Sequence, residues 1–352
     1  MLLIRVDASS KIGMGHLLRC MTLAEYFKFK EIEVIFLSQS VNIKSFVSDK
    51  GFNFILIPEN ARLENELRII EEVNYDYKID AVLLDINNFH SFKTLNLYKK
   101  YLNFLKDFQF VLISFEDPKN CIHTADLIII PYLDSLKFIP REIYGDKYLL
   151  GLDYYILRSE FVNVKPIKIN REVKNILITM GGSDPQNMTT KVLTALSELS
   201  SLNLTIVLGE LFKESVSTID HILCHFKGGY TVLRNVDNMA DVMINSDIAV
   251  INSGLTKYET LAVGLPSIVI SNNSYHSELM NDFNDLDVLI NLGKVDELQN
   301  NKLVETVKQL AKDYAKRNKM SVAGKSLIDG HGVKRIFSEI ENRIQHNKTN
   351  IG

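Results

Sequence analysis

Two stretches of the sequence share one layout: Leu2-Leu-Ile-Arg-Val6 leads to Ile12-Gly-Met-Gly-His16, and Asn175-Ile-Leu-Ile-Thr179 leads to Met180-Gly-Gly-Ser-Asp-Pro185. Each begins as an apolar run of strand length, which is followed by a glycine-rich turn and a longer helical pattern. This succession is typical of the first strand and helix of a doubly wound parallel sheet. Its repetition predicts an α/β protein with two Rossmann-like domains.

The remaining apolar runs extend both series. The strands predicted in the first half are 2–6, 33–37, 53–57, 81–84, 110–114 and 127–130. Those predicted in the second half are 175–179, 204–208, a weaker one near 225–227, 248–251 and 267–270. Because helical patterns separate these runs, we expect parallel sheets with crossover helices.

The pattern predicts four segments. Residues 1–157 form the first domain, 158–171 a linker with Pro166 and mixed charges, and 172–333 the second domain. Residues 334–352 form a C-terminal amphipathic helix with a polar tail. Ligands of open parallel sheets bind beyond the carboxyl ends of the strands, so we expect an interdomain cleft lined by strand-to-helix loops.

Composition excludes several classes of protein. The 352 residues carry 40 Lys and Arg against 43 Asp and Glu, a formal charge of −3, which argues against binding to nucleic acid or an anionic membrane. No apolar stretch approaches the roughly 20 residues of a membrane span, and the N-terminus resembles a strand more than a signal peptide. The cysteines Cys20, Cys121 and Cys224 are odd in number and widely spaced, which indicates reduced core thiols in a cytoplasmic protein.

The loop after the first strand offers a candidate general base. Gly13 and Gly15 allow the backbone to approach a ligand, and His16 falls in the first turn of the next helix. The positive end of the helix dipole disfavours imidazolium, which keeps a neutral imidazole available near pH 7. A glycine turn with an incidental histidine explains this spacing equally well.

Two loops of the second half offer candidate anion sites. Ser253, Gly254, Leu255 and Thr256 would present backbone N–H groups and a hydroxyl at a helix N-terminus. Glu259 could accept bonds from a pair of sugar hydroxyls, or it could close a capping box with Thr256.

The other loop is glycine-rich. In Met180-Gly-Gly-Ser-Asp-Pro185, Gly181 and Gly182 allow close approach, and Ser183 or Asp184 can cap the following helix. Taken alone, this segment is explained by an N-cap.

The sequence predicts no metal and no cofactor. His221, Cys224 and His225 would share a helical face, but a zinc site requires about four ligands and no companion pair exists. A GxSxG elbow and a Walker lysine are both absent.

Taken together, the motifs resemble the PseG family, the UDP-2,4-diacetamido-2,4,6-trideoxy-β-L-altropyranose hydrolases of pseudaminic acid biosynthesis, which are relatives of the glycosyltransferase MurG. The matching segments follow one another along nearly the whole chain: Arg5-x-Asp-Ala-Ser with Ile12-Gly-x-Gly-His-x-x-Arg-Cys20, Gly151-x-x-Tyr-x-Ile-Leu-Arg-Ser-Glu-Phe161, Met180-Gly-Gly-Ser-Asp-Pro185, Asn252-Ser-Gly-Leu-Thr-Lys-Tyr-Glu259 and Asp329-Gly-His-Gly-Val-Lys-Arg-Ile336. The resemblance implies a GT-B fold with the nucleotide held mainly by the second domain.

The resemblance also implies roles for individual residues. His16 would be the catalytic base, and Gly15 would lie beside the diphosphate. The loop from Ser253 to Thr256 would hold phosphate, and Glu259 the ribose hydroxyls. Val236 and Met239 fall where the related transferase seats its uracil.

Departures from the family pattern concentrate in the first domain, at Asp85-Ile-Asn-Asn-Phe89, Phe115-Glu-Asp-Pro118 and Pro131-Tyr-Leu133, with a further one at Asn272-Asn-Ser-Tyr-His276. This fold generally places the sugar against the first domain, so these changes bear on which sugar is bound. We expect Asn87, Asn88 and His276 to reshape the sugar pocket.

The leading hypothesis is a metal-independent, cytoplasmic and monomeric hydrolase that binds a UDP-linked diacetamido-trideoxyhexose and water, with neither nucleic acid nor membrane as a partner. Water deprotonated by His16 would attack the anomeric carbon and invert it as UDP leaves. The alternatives are a MurG-like glycosyltransferase or a hydrolase for a related amino sugar, and a nucleotide-sugar binding module without catalysis.

Overall fold

The structure is a computed structural model. It describes residues 1–9, 14–58, 61–86, 95–116, 124–135, 145–162, 164–165, 167–199, 201–209, 212–213 and 215–351. The chain divides into two compact units, one of residues Met1–Arg158 with His331–Gly352 and the other of Ser159–Gly330.

The first unit is built on a parallel sheet in the order β3-β2-β1-β4-β5-β6-β7. Its strands are β1 (Leu2–Val6), β2 (Val34–Ser38), β3 (Asn53–Leu56), β4 (Ala81–Asp85), β5 (Val111–Phe115), β6 (Leu127–Ile130) and β7 (Tyr148–Leu150). Its helices are α1 (Gly15–Phe29), α2 (Lys44–Asp49), α3 (Leu63–Tyr77) and α4 (Leu95–Lys106). A further helix of this unit, α12 (Gly332–Ile351), comes from the end of the chain.

The second unit repeats this plan with the strand order β10-β9-β8-β11-β12-β13. Its strands are β8 (Asn175–Thr179), β9 (Asn203–Leu208), β10 (Tyr230–Arg234), β11 (Ile248–Asn252), β12 (Ser267–Ser271) and β13 (Ile290–Lys294). Its helices are α5 (Met188–Leu196), α6 (Val216–Leu223), α7 (Met239–Ile244), α8 (Thr256–Val263), α9 (Ser274–Asp285), α10 (Asn300–Lys312) and α11 (Tyr314–Leu327).

The central strands are apolar because helices cover both faces of each sheet. In β1, Ile4 faces one core cluster together with Leu17 of α1, whereas Leu3 faces a second cluster together with Ile70 of α3. All pairings described are parallel, so the loops after the strands gather at one edge of each sheet.

Helix α12 packs on the first unit although it follows the second in sequence. Val333, Ile336 and Ile340 belong to the same core cluster as α1. The ring of Phe337 lies edge-on to Phe27, with centroids 4.9 Å apart. Gly332 has no room for a side chain, because an added Cβ would stand 2.1 Å from the carbonyl oxygen of Tyr155.

The two parallel-sheet α/β domains predicted from the sequence are confirmed. The strand predicted near 225–227 is wrong, since the strand there is β10 at Tyr230–Arg234, an edge strand whose residues are exposed or half-buried. The strands β7 and β13 were not predicted, because one is only three residues long and the other contains Gly293. Cys20 is buried as expected, but Cys224 is exposed and lies outside the core, and Cys121 falls outside the described residues.

None of the helices in the described part of the chain combines the length and the apolar composition that a membrane span requires.

The predicted linker, residues 158–171, makes specific contacts within the second unit. The backbone N–H of Ile167 donates to the carbonyl of Val263, and the buried Arg317 guanidinium donates to the carbonyls of Asn170 and Arg171.

Candidate active site

His16 is the second residue of α1, which begins at Gly15, so its side chain belongs to the first turn of the helix. Only 14% of that side chain is exposed. The placement agrees with the sequence prediction of a histidine at a positive helix end. It leaves open what orients the ring.

Asp85 orients the ring. It is the last residue of β4 and pairs in register with Val6 at the end of β1, so it lies at the edge of the sheet from which the chain continues to α1. His16 Nδ1 lies 2.7 Å from Asp85 Oδ1. Arg19 Nη2 also lies 3.0 Å from Nδ1, but its nearer partner is Asp85 Oδ1 at 2.5 Å. Because a carboxylate only accepts, we assign the proton of the His16–Asp85 bond to Nδ1 and the lone pair of the neutral ring to Nε2.

Arg19 holds Asp85 in the ionised state. One turn along α1, its Nε donates to Asp85 Oδ2 at 2.6 Å and its Nη2 to Oδ1 at 2.5 Å. Burial raises the pKa of Asp85, but the charge of Arg19 and the hydrogen bonds from Arg19 and His16 outweigh burial and bring the pKa well below its ordinary value. The thiol of Cys20 also donates to Asp85 Oδ2 at 3.3 Å.

The other side of the Arg19 guanidinium meets residues that follow β5 and β6. Nη1 donates to Glu116 Oε1 at 3.1 Å and to the Tyr132 hydroxyl at 2.8 Å, and that hydroxyl donates to Glu116 Oε1 at 2.5 Å. The guanidinium carbon lies 4.5 Å from the centroid of the Phe115 ring. Side chains from α1 and from the ends of three strands thus form one hydrogen-bonded network.

A second buried network fixes the strand that precedes α1. Arg5 of β1 is fully buried and pairs with Asp7 at 2.7 Å and Glu66 at 2.8 Å. The Tyr101 hydroxyl donates to Glu66 at 2.9 Å, and the Ser38 hydroxyl to Asp7 at 2.9 Å. These bonds tie the end of β1 to α3, α4 and β2.

In the second unit, the loop after β8 comes close to the loop after β11. Gly181 has a φ of +80°, and an added Cβ would stand 2.8 Å from Asn252 Nδ2, which donates to the Met180 carbonyl at 2.8 Å. Asp184 is the residue that caps α5, accepting from the backbone N–H groups of Met188 and Thr189 at 2.8 Å each. Ser183 is half-buried beside it.

The loop after β11 carries the other candidate anion site. Ser253 is buried and Gly254 exposed, while Leu255 is the N-cap of α8 and Thr256 its first residue. Thr256 is therefore not at the capping position that a capping box with Glu259 requires. Glu259 lies in the first turn and is only 8% exposed.

Lys257, in the same turn, was not identified from the sequence. Its side chain is 7% exposed, and its Nζ donates to the carbonyls of Ser253 and Gly254 at 3.0 and 3.1 Å. The ammonium therefore adds positive charge to a helix N-terminus that already favours anions. Burial, and secondarily the charge of Lys257, lowers the pKa of half-buried His276, the third residue of α9.

The other predicted residues lie at the same edge of this sheet or outside the described residues. Val236 follows β10 and is half-buried, and Met239 is the buried first residue of α7. Strands β9 and β8 separate them from the loop after β11. Asn87, Asn88 and Gly13 lie outside the described residues.

The sequence interpretation missed Asp85, Arg19, Glu116 and Tyr132 as members of the site. Two signals were present: Asp85 and Glu116 each end or follow an apolar strand, and Arg19 lies one helical turn from His16. Their convergence depends on the strand order, which the sequence leaves open.

Residues 175–336 match the family described as the glycosyltransferase family 28 C-terminal domain. An uncharacterized protein of Methanocaldococcus jannaschii is 29% identical over 79% of this chain, but the match spans only 57% of that protein's length. The spore coat polysaccharide biosynthesis protein SpsG of Bacillus subtilis is 24% identical over 95% of the chain and 96% of its own.

A third relative is a Helicobacter pylori protein with two activities, pseudaminic acid cytidylyltransferase and UDP-2,4-diacetamido-2,4,6-trideoxy-β-L-altropyranose hydrolase. It is 23% identical over 73% of this chain and 42% of its own length.

Solved structures share the fold across the whole chain. MurG of Acinetobacter baumannii superposes with a TM-score of 0.71 at 12% identity, covering 97% of this chain and 99% of its own. The S. aureus MnaA structure with UDP gives 0.64 at 15% identity, covering 98% and 96%. The chain therefore has the GT-B fold, with two parallel-sheet α/β domains, and its residues 175–336 are similar to the glycosyltransferase family 28 C-terminal domain.

Proposed function

We propose that this protein hydrolyses a UDP-linked amino sugar, UDP-2,4-diacetamido-2,4,6-trideoxy-β-L-altropyranose, releasing UDP and the free sugar. The observation that carries the proposal is the bond of 2.7 Å between His16 Nδ1 and Asp85 Oδ1. This bond leaves the lone pair on Nε2, the arrangement that a general base requires.

The reaction follows from this arrangement. Nε2 takes a proton from water as the water oxygen bonds to the anomeric carbon, and the bond from that carbon to the diphosphate oxygen breaks with its electron pair leaving on UDP. Asp85 stabilises the imidazolium that forms. Since water attacks opposite to the leaving group, the anomeric configuration inverts. The proton then passes from His16 to solvent.

The second unit supplies the nucleotide site in this proposal. Backbone N–H groups at the start of α8, together with the Lys257 ammonium, would stabilise the charge that develops on the departing diphosphate. Glu259 would accept the ribose hydroxyls, and Val236 and Met239 would contact the uracil. Gly15, Gly181 and Ser183 would line the approach to the phosphates.

The relatives support this assignment in part. The H. pylori protein carries the named hydrolase activity. The motifs around His16 and at Asn252–Glu259 are those of the PseG resemblance. We propose that the sugar is the one named for that protein, with Asn87 and His276 as residues of its pocket.

Proton NMR of the anomeric signals tests the proposal, using the purified protein, the UDP-sugar and EDTA. We expect UDP and a free sugar of inverted configuration. His16→Asn should reduce kcat roughly 10²- to 10⁴-fold, because it removes the base, and should leave UDP affinity within twofold. An intact substrate despite tight UDP binding would contradict hydrolysis.

A second candidate is a glycosyltransferase that passes the sugar to an acceptor hydroxyl. The match to the glycosyltransferase family 28 C-terminal domain favours it. The same base would then deprotonate the acceptor. Substrate that survives in water but turns over when candidate acceptor sugars are added would support this alternative. The hydrogen-bonded His16–Asp85 pair weighs against a binding module without catalysis.

A further inference from the structure

Glu116 has an uncommon backbone conformation. It follows β5 directly, and its φ of +61° lies in the left-handed region, which is costly for a residue with a long side chain. Hydrogen bonds hold it there: its N–H donates to the Ile129 carbonyl at 2.8 Å, and the Ser114 hydroxyl donates to its carbonyl at 3.2 Å. The conformation directs the carboxylate to Arg19 at the edge of the sheet.

The two oxygens of the Glu116 carboxylate differ in their hydrogen bonds. Oε1 accepts from Arg19 and from Tyr132. Oε2 accepts no hydrogen bond from the described residues, and it is accessible to solvent. The side chain is 36% exposed, whereas that of Asp85 is 2% exposed and both of its oxygens are engaged. Glu116 thus presents an ionic acceptor to solvent.

Glu116 is connected to the proposed general base through Arg19. One guanidinium joins the two, since Arg19 Nη1 lies 3.1 Å from Glu116 Oε1 and Nη2 lies 3.0 Å from His16 Nδ1. A sugar ring that extends from water at His16 towards Arg19 would bring its substituents close to Glu116.

We propose that Glu116 Oε2 accepts a hydrogen bond from an N–H or O–H donor on the sugar ring, which makes Glu116 a specificity-determining residue. This inference rests on the proposed function, because it assumes that a nucleotide-linked sugar occupies the site of His16. A sugar without the donor would have to desolvate the carboxylate without compensation, so the site would reject it. Acetamido and hydroxyl substituents are the donors that an amino sugar offers.

Calorimetry in the His16→Asn background tests the inference without turnover. Glu116→Gln should weaken binding of UDP-2,4-diacetamido-2,4,6-trideoxy-β-L-altropyranose roughly 10- to 100-fold and leave binding of UDP within twofold. The matched control is Glu25→Gln. Glu25 lies further along α1, its side chain is similarly exposed at 37%, and it pairs with Lys50. It should change neither affinity.

Glu116→Gly is a second variant, and it should keep the fold. Glycine adopts a positive φ without strain, so this substitution removes both the carboxylate and the backbone strain at position 116. It should lose the same discrimination between the UDP-sugar and UDP. In the active protein, both variants should raise KM while the pH dependence of kcat stays as in the unsubstituted protein.

Two results would overturn the inference: equal losses for UDP and the UDP-sugar, or a changed kcat and pH profile at constant KM, which would mean that Glu116 acts only through Arg19. Failure of the proposed function looks different. In that case the unsubstituted protein does not hydrolyse the UDP-sugar, while Glu116→Gln still weakens its binding relative to UDP.

Discussion

The carboxyl edges of the two sheets carry different chemical groups. In the first unit, side chains with buried charge converge on Asp85, which bonds to His16, Arg19 and Cys20. In the second unit, glycines and helix N-termini dominate, and the buried Lys257 ammonium bonds to backbone carbonyls. An edge built from titratable side chains suits proton transfer, whereas one built from backbone groups suits a ligand that is already ionised.

The largest effect is expected from Asp85→Asn. The amide can donate to His16 Nδ1 through its NH2 as well as accept from Nδ1 through its oxygen, so the tautomer of His16 is no longer fixed. The kcat should fall roughly 10³- to 10⁴-fold with UDP affinity unchanged. The control is Asp247→Asn in the second unit, a buried carboxylate that accepts from the N–H groups of Lys174 and Asn175. It should reduce stability and spare kcat. Equal kcat values for both variants would remove Asp85 from the mechanism.

Arg19→Met should be the most destabilising change at either edge. It leaves the buried Asp85 carboxylate without its main counter-charge, at a cost of about 3–5 kcal/mol in urea unfolding. Lys257→Met should cost less, because the backbone carbonyls of Ser253 and Gly254 that lose a donor are neutral.

The pH dependence of Arg19→Met follows from the sign of the pKa shift. The folded pKa of Asp85 lies below the unfolded value of 3.8, so its stabilising contribution is complete above that pH and is lost as pH falls. The difference in unfolding free energy between Arg19→Met and the unsubstituted protein should therefore narrow on acidification. A constant difference would mean that Arg19 acts through packing alone.

Gly181→Ala probes the backbone-built edge. The positive φ and the contact of 2.8 Å with Asn252 Nδ2 predict a loss of about 1–3 kcal/mol in unfolding free energy, with weaker UDP binding. Gly182→Ala is the matched control, since an added Cβ there meets nothing within 4 Å. Its stability should change by less than about 1 kcal/mol. If the two variants are equally stable, the close approach of the two loops is not a structural requirement.

Glu259→Gln should weaken UDP binding about 10-fold, because a charged acceptor for the ribose hydroxyls becomes neutral. Calorimetry with UDP and with 2′-deoxy-UDP measures this. The variant should bind both nucleotides alike, whereas the unsubstituted protein should prefer UDP. An unchanged preference would make Glu259 a packing residue of α8.

The smallest effect concerns His276. Burial and the charge of Lys257 lower its folded pKa below the ordinary 6.5, so the neutral ring contributes stability above that pH and the contribution is lost as pH falls. His276→Gln should lose less stability than the unsubstituted protein between pH 7 and pH 5 in thermal unfolding. Parallel curves would show that His276 does not contribute.

Much of the fold could be predicted locally. Strands β1, β6 and β8 are predicted with the bounds that the structure has, because strands buried on both faces form nearly continuous apolar runs. The exposed edge strand β10 was misplaced because it carries no such constraint. His16 could be predicted at a helix start because glycines and a helical pattern flank it.

The sequence by itself thus determined two parallel-sheet domains, their glycine turns and the residues that begin the helices after them, since each depends on neighbours a few positions away. Only the tertiary structure decided the charge network. Asp85 lies 66 residues from Arg19, and Glu116 lies 97 residues from it. They meet because β1, β4 and β5 are neighbours in the sheet, and strand order is set by the packing of the whole unit.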